Sequence, residues 1–307
     1  MTQTKPKKYL GQNFLKDESV LKQIVGAADL SSKDIILEIG PGKGILTKEL
    51  AQKAKKVIAI EKDKTLIPEL KQNLKEFSNL EIIEGDILKL FPSFKFPARL
   101  ATRSVAGRQD SSFKIVANIP YYLTSHLIRM ILEAKNQPKE IVFLVQKEVA
   151  QRICSQPPKM TLLAVSVQFF SEPEIVAYVS KESFWPQPKV DSAILRITPY
   201  SSVIVRSEAT KQSRGELGGI ARLQRYALHC GQATLPAVTR NDKNFREKFF
   251  RILKIGFLSP RKKLLNNLTN VFEKEKIETI FKDLNFDKNI RAQNLFVGDW
   301  IQLTDRL

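Results

Sequence analysis

The sequence predicts an α/β protein: a doubly wound, mostly parallel sheet with an antiparallel edge strand, followed by a small all-helical C-terminal domain. Three observations predict it. Between Asp34 and Gln146, short apolar runs alternate with segments of helical period, as crossover connections between parallel strands require. Three successive runs are followed by glycines or acids, where open α/β sheets bind their ligands. After Phe245 the strand-like runs stop and short amphipathic helical periods take over.

Strands are expected over 35–39, 57–60, 80–83, 114–117 and 141–145, with helices over 46–54, 66–77 and 123–134 between them. Two further runs, 174–179 and 193–197, follow proline-bearing turns and complete the sheet as its antiparallel edge. The domains are therefore read as 1–200 for the sheet, 201–243 as an insertion or linker, and 244–307 as the helical part. Two stretches depart from the lysine-rich remainder. Residues 98–111 and 201–242 together hold eight arginines and one lysine, whereas the rest holds eight arginines and 33 lysines. The first is bracketed by a direct repeat, Ser93-Phe94-Lys95 and Ser112-Phe113-Lys114, as an insertion with target duplication would leave. Both are read as insertions, spanning 97–112 and 201–243, the alternative being two long loops of a length uncommon in compact domains.

At 307 residues with 43% apolar and 27% charged content, the chain is a globular protein with a substantial core. No apolar run approaches the roughly 20 residues that span a bilayer, and the N-terminal Lys5, Lys7 and Lys8 precede no apolar leader, so a cytoplasmic protein is expected. Cys154, Cys230, His126 and His229 show no ligand spacing, so neither a metal site nor a Cys-His or Ser-His-Asp mechanism is expected. A net charge of +18 points to a polyanionic partner, nucleic acid first; a uniformly lysine-rich surface is the alternative.

Glu38-Ile39-Gly40-Pro41-Gly42-Lys43-Gly44 joins the first strand to a helix, so Gly40 and Gly42 let backbone pass close to a ligand at a helix N-terminus. Glu61 ends the second strand about 20 positions later, where a carboxylate accepts from ribose hydroxyls. Asp86 ends the third and suits an adenine amino group. The loop is Gly-x-Gly-x-Gly, without the spacing expected for a pyrophosphate, and no hydride-transfer partner stands at a strand end, which favours S-adenosylmethionine over a dinucleotide. Asn118-Ile119-Pro120-Tyr121 then brings an amide, a free backbone carbonyl and an aromatic ring to one point. Two acceptors and a π-face suit adenine; a turn punctuated by Asn and Pro is the alternative.

Through Leu10-Gly11-Gln12-Asn13-Phe14-Leu15, Glu38 to Gly42, Glu61, Asp86, Asn118 to Tyr121, Gln146-Lys147-Glu148-Val149 and Phe184-Trp185-Pro186-Gln187-Pro188-Lys189-Val190-Asp191-Ser192, the chain resembles the ribosomal small-subunit RNA adenine N6,N6-dimethyltransferases. The resemblance implies a Rossmann-like methyltransferase sheet whose cofactor pocket is lined by Asn13, Leu15, Gly40, Glu61, Asp86 and Asn118. It also implies a substrate, two adjacent adenosines in a hairpin loop near the 3′ end of small-subunit RNA, methylated during ribosome assembly; a monomer is expected. Asn118 and Pro120 are then the acceptors for the two amine N–H groups, with Tyr121 and Phe184 stacking on opposite faces of the base. Arg261-Lys262-Lys263 becomes an RNA phosphate contact. Met160-Thr161-Leu162 replaces the family's usual Tyr-Gly-Arg and puts substrate positioning by that loop in question. Two rivals stand beside this reading: a large-subunit adenine methyltransferase conferring antibiotic resistance, and an RNA-binding assembly factor without catalysis.

Overall fold

The computed structural model describes residues 6–7, 10–93, 102–103, 109–110, 113–200 and 242–307. The second inferred insertion lies outside the described residues but for its last two, and the first but for a short ladder, Thr102–Arg103 (β5) with Gln109–Asp110 (β6). The chain divides into two compact units, Met1–Cys154 with Ser171–Pro199, and Ser155–Phe170 with Tyr200–Leu307.

The first unit holds a pair of two-residue strands, β1 (Phe14–Leu15) and β10 (Phe184–Trp185), and the main sheet. The sheet comprises β2 (Ile35–Ile39), β3 (Lys56–Glu61), β4 (Leu80–Glu84), β7 (Phe113–Asn118), β8 (Glu140–Gln146), β9 (Ser171–Val179) and β11 (Ser192–Pro199), in the order β4-β3-β2-β7-β8-β11-β9. The first five strands are parallel. The antiparallel element is refined by the structure: β11 runs against both β8 and β9, so the reversed strand lies second from the edge and the edge strand points with the parallel set. That outer position accommodates Pro173, which has no N–H for a ladder.

Helices α1 (Glu18–Ala27), α2 (Ile45–Lys53), α3 (Ile67–Asn73), α4 (Ile87–Leu90), α5 (Thr124–Glu133) and α6 (Lys147–Ile153) make the crossovers and flanks. Val20, Leu21, Ile24 and Val25 of α1 and Leu46, Leu50 and Ala51 of α2 form one core with Ile36, Val57, Val116, Val142, Leu144 and Ile194 of the sheet. Each such fully buried aliphatic side chain contributes about 1.5–3 kcal/mol. Helix α1 has no counterpart among the expected elements, although Asp17 accepts from Ser19 N as its cap and the apolar spacing is helical. Helix α3 is shorter than expected because after Asn73 the backbone tightens, Phe77 N donating to Leu74 O.

The second unit is helical: α7 (Leu162–Gln168), α8 (Lys243–Gly256), α9 (Leu264–Leu268), α10 (Lys274–Asp283) and α11 (Val297–Arg306). Segment 155–170, expected in the sheet domain, belongs here because its aromatic end packs on α8: Phe169 stacks on Phe249 at 4.2 Å and Phe170 on Phe250 at 5.8 Å. The departure at Met160-Thr161-Leu162 has a local function, since Met160 is buried and Thr161 caps α7 by accepting from Ala164 N at 3.0 Å. Buried Asn267 closes the end of α8, its Nδ2 donating to the carbonyls of Gly256 and Ser259.

Candidate active site

Register and pleat gather the site. Glu38 lies opposite Ala59 and Val116, and side chains alternate between faces along a strand, so Glu38, Glu61 and Asn118 stand on the face covered by α1 and α2. One concavity there is lined by Asn13, Leu15, Gly40, Gly42, Glu61, Asp86, Asn118, Pro120 and Tyr121. Every expected pocket residue of the cofactor and amine sites is thus brought together except Phe184.

Gly40 and Gly42 have φ of 68° and 61°, the left-handed region that glycine adopts without strain. A Cβ on Gly40 would meet nothing within 4 Å, leaving a cradle, whereas one on Gly42 would come within 3.1 Å of the Phe14 ring. The Glu61 carboxylate is aimed by two backbone donors, Gly42 N to Oε2 at 3.1 Å and Asp63 N to Oε1 at 2.8 Å. Burial pushes its pKa up in spite of these bonds. Burial acts on Asp86 in the same sense, but the Lys62 ammonium at 2.9 Å and the Leu88 amide hold its carboxyl below the usual range.

Asn118 ends β7 and donates from Nδ2 to the Asn13 carbonyl at 3.1 Å. The Asn13 side chain in turn donates to Gly11 O at 3.3 Å. Tyr121 is half-buried, its hydroxyl 2.8 Å from Ser192 Oγ, and loss of water raises its pKa. Two expectations need correction. The Pro120 carbonyl is not free, for it accepts from Leu123 N at 3.0 Å in the turn that follows, which leaves one lone pair. Phe184 offers no face to a base: it is 2% exposed, belongs to the core, and pairs through β10 with Leu15. Its neighbour Trp185 is 48% exposed.

Sequence reasoning missed Glu38 as a functional residue, although it precedes the glycine loop directly. It is buried, with Oε2 lacking a hydrogen-bond partner among the described residues, and desolvation, with the neighbouring Glu61 charge adding, pushes it up to about 8. Also missed were Lys7, Gln12 and Asp63, which interact across 51 to 56 positions of sequence and carry no local pattern. In the helical unit, Arg261, Lys262 and Lys263 are exposed just ahead of α9. They line a second concavity with Asn266, Asn270, Asn289 and Arg291, and none of the three forms an ion pair among the described residues.

A mostly parallel seven-stranded sheet, a glycine cradle after β2, and a carboxylate and an amide at the ends of its two neighbours β3 and β7 define the class, an α/β methyltransferase. A family model, "Ribosomal RNA adenine dimethylase", matches residues 3–212, and the chain belongs to that family. The Ribosomal RNA small subunit methyltransferase A of Dehalococcoides mccartyi (strain CBDB1) is 35% identical over 301 residues, covering 97% of this chain and 87% of the relative. Among solved structures, a dimethyladenosine transferase from Plasmodium falciparum superposes with a TM-score of 0.66 at 27% identity, covering 94% of this chain and 95% of the other. The 23S rRNA methyltransferase ErmE gives the same TM-score at 23% identity over 96% and 99%, which is a likeness of fold.

Proposed function

We propose that this protein transfers methyl groups from S-adenosylmethionine to N6 of two adjacent adenosines in a hairpin loop near the 3′ end of small-subunit ribosomal RNA, giving N6,N6-dimethyladenosine during ribosome assembly. The carrying observation is the hydrogen bond from Asn118 Nδ2 to the Asn13 carbonyl, which turns Asn118 Oδ1 away as an acceptor beside Glu61 and the Gly40 cradle. Family membership and the name of the Dehalococcoides relative support the adenine and the small-subunit RNA. The enzyme is proposed to act as a monomer in the cytoplasm.

The residues present fit the methyl donor. Gly40 leaves open space where a Cβ would project, Glu61 is aimed by two amides, and Glu38 Oε2 is a buried polar atom with no hydrogen-bond partner among the described residues. Bound there, S-adenosylmethionine supplies an electrophilic methyl group on a sulfonium. Glu61 would accept from the ribose and Asp86 from the adenine amine of the cofactor, with Asn13, Leu15 and Gly42 as walls. The substrate N6 is a poor nucleophile because its lone pair is delocalised into the ring. Asn118 Oδ1 and the remaining lone pair on the Pro120 carbonyl accept its two N–H bonds and favour a pyramidal nitrogen. Tyr121 covers the base, a stack worth about 1–3 kcal/mol. The methylated amine then gives its proton to solvent, so catalysis rests chiefly on orientation. The exposed Arg261, Lys262 and Lys263 contact RNA phosphates.

Labelled S-adenosylmethionine, immature small subunits and mass mapping of the RNA test this. Paired dimethyladenosines near the 3′ end are expected, and Asn118→Ala at saturating donor should lower kcat by about 10²-fold or more, as loss of a polar group aimed at the reacting centre does. Label confined to large-subunit RNA, or undiminished transfer by the variant, overturns the reading.

A further inference from the structure

Residues 10–15 line the same concavity as Asn118 and Glu61, and Gln12 among them shares a single carboxylate, that of Asp63, with Lys7. Asp63 is 4% exposed and accepts from Lys7 Nζ at 2.6 Å, from Gln12 Nε2 at 2.9 Å, and from Thr65 N and Oγ1 at 3.1 and 2.7 Å. Lys7 N donates to Gln12 Oε1 at 2.8 Å, closing the knot. The next residue along is Asn13, whose carbonyl takes the Asn118 amide. A carbonyl only accepts, so the NH₂ of Asn118 must face it and Oδ1 must face away, whatever else surrounds that side chain. Gly11, at φ 63°, carries this N-terminal strap past Pro120 and Tyr122, to which a Cβ would come within 3.6 and 3.4 Å.

We propose that Asp63 is a positioning residue for methyl transfer: by clamping Lys7 and Gln12 it fixes the strap whose Asn13 carbonyl sets the flip of the Asn118 amide. Its side chain lines no part of the pocket and acts through the strap, while its backbone amide, which Asp63→Ala retains, aims Glu61. The inference rests on the reading above that Asn118 Oδ1 accepts an adenine N–H. It has a consequence specific to double methylation. The unmodified amine offers two N–H bonds to two acceptors, whereas the monomethylated amine offers one. A loosened Asn118 therefore harms the second transfer more than the first.

The test compares wild type with Asp63→Ala, Gln12→Ala and Lys7→Met, in full-length protein with small subunits as substrate, and scores products at matched extents of reaction. Expected are a kcat lowered by about ten- to a hundredfold at saturating donor, a raised ratio of N6-monomethyl- to N6,N6-dimethyladenosine, and faster hydrogen exchange of the amides of 10–15. A variant that only lost folded protein would lower the rate at an unchanged product ratio. Should Asp63→Ala fail to fold, Gln12→Ala decides, since it removes one arm and leaves the carboxylate paired with Lys7. An unchanged product ratio with unchanged exchange in the folded variants overturns the proposal. Absence of dimethylation by the wild type overturns the earlier reading instead.

Discussion

Glu38 is a carboxyl group with no good place for its charge. Its folded pKa of about 8 lies above the ordinary value of 4.5, so the neutral form is favoured on folding; stability present below pH 4.5 is lost as pH rises towards 8. Glu38→Gln, which keeps the shape and removes the charge, should raise Tm at pH 7–8 by the equivalent of about 1–3 kcal/mol and change it little at pH 4, as thermal melts at the two pH values would show. Tyr121 separates ring from hydroxyl. Tyr121→Ala should raise KM for RNA by roughly 5- to 150-fold through loss of the stack, while Tyr121→Phe, which loses only the bond to Ser192, should raise it far less. Gly40, Glu61, Asp86 and Asn118 were legible in the sequence because each stands where a parallel strand ends, and the end of such a strand is set by the backbone. Pro120 and Phe184 were misread for the opposite reason. The fate of a carbonyl in a turn, and the burial of a ring by a strand about 170 positions away (Phe184 on Leu15), are not written locally.

At the scale of elements, apolar runs located all five parallel strands to within a residue or two, because buried parallel strands need near-continuous apolar sequence and even the less buried β4 keeps Leu80, Ile82 and Ile83. What remained hidden was order: nothing local says that β11 slips between β8 and β9. The duplicated tripeptide makes a sharper prediction. Its second copy is structural, since Phe113 is buried and Lys114 Nζ donates to the carbonyls of Ala28 and Asp29 beyond the end of α1, where a cation is favoured. Excising 96–114 joins Lys95 to Ile115 and leaves Ser93-Phe94-Lys95 to serve in its place. The shortened protein is expected to keep its Tm within a few degrees and its methyl transfer within about twofold, both measured against the full chain. In the helical unit, Thr161→Ala should cost about 1 kcal/mol in denaturant melts, the ordinary effect of removing a cap.

For the molecule as a whole, the charge of +18 predicts RNA binding that weakens steeply with salt. Replacing Arg261, Lys262 and Lys263 together by alanine should flatten the slope of log affinity against log salt by about 2 to 3, at roughly 0.7–0.9 for each phosphate no longer neutralised, with donor affinity unchanged. Filter binding over a salt series checks it. The two tryptophans offer an optical handle on the same molecule. Trp300 is fully buried in the helical unit, whereas Trp185 is half-exposed on β10, paired with Phe14 of the strap and with Lys43 Nζ 5.9 Å from its ring. Native emission therefore divides by colour and by access to a quencher: a blue, shielded component that reports the helices, and a redder, quenchable one that reports the strap beside the concavity of Glu61 and Asn118, with no dye attached.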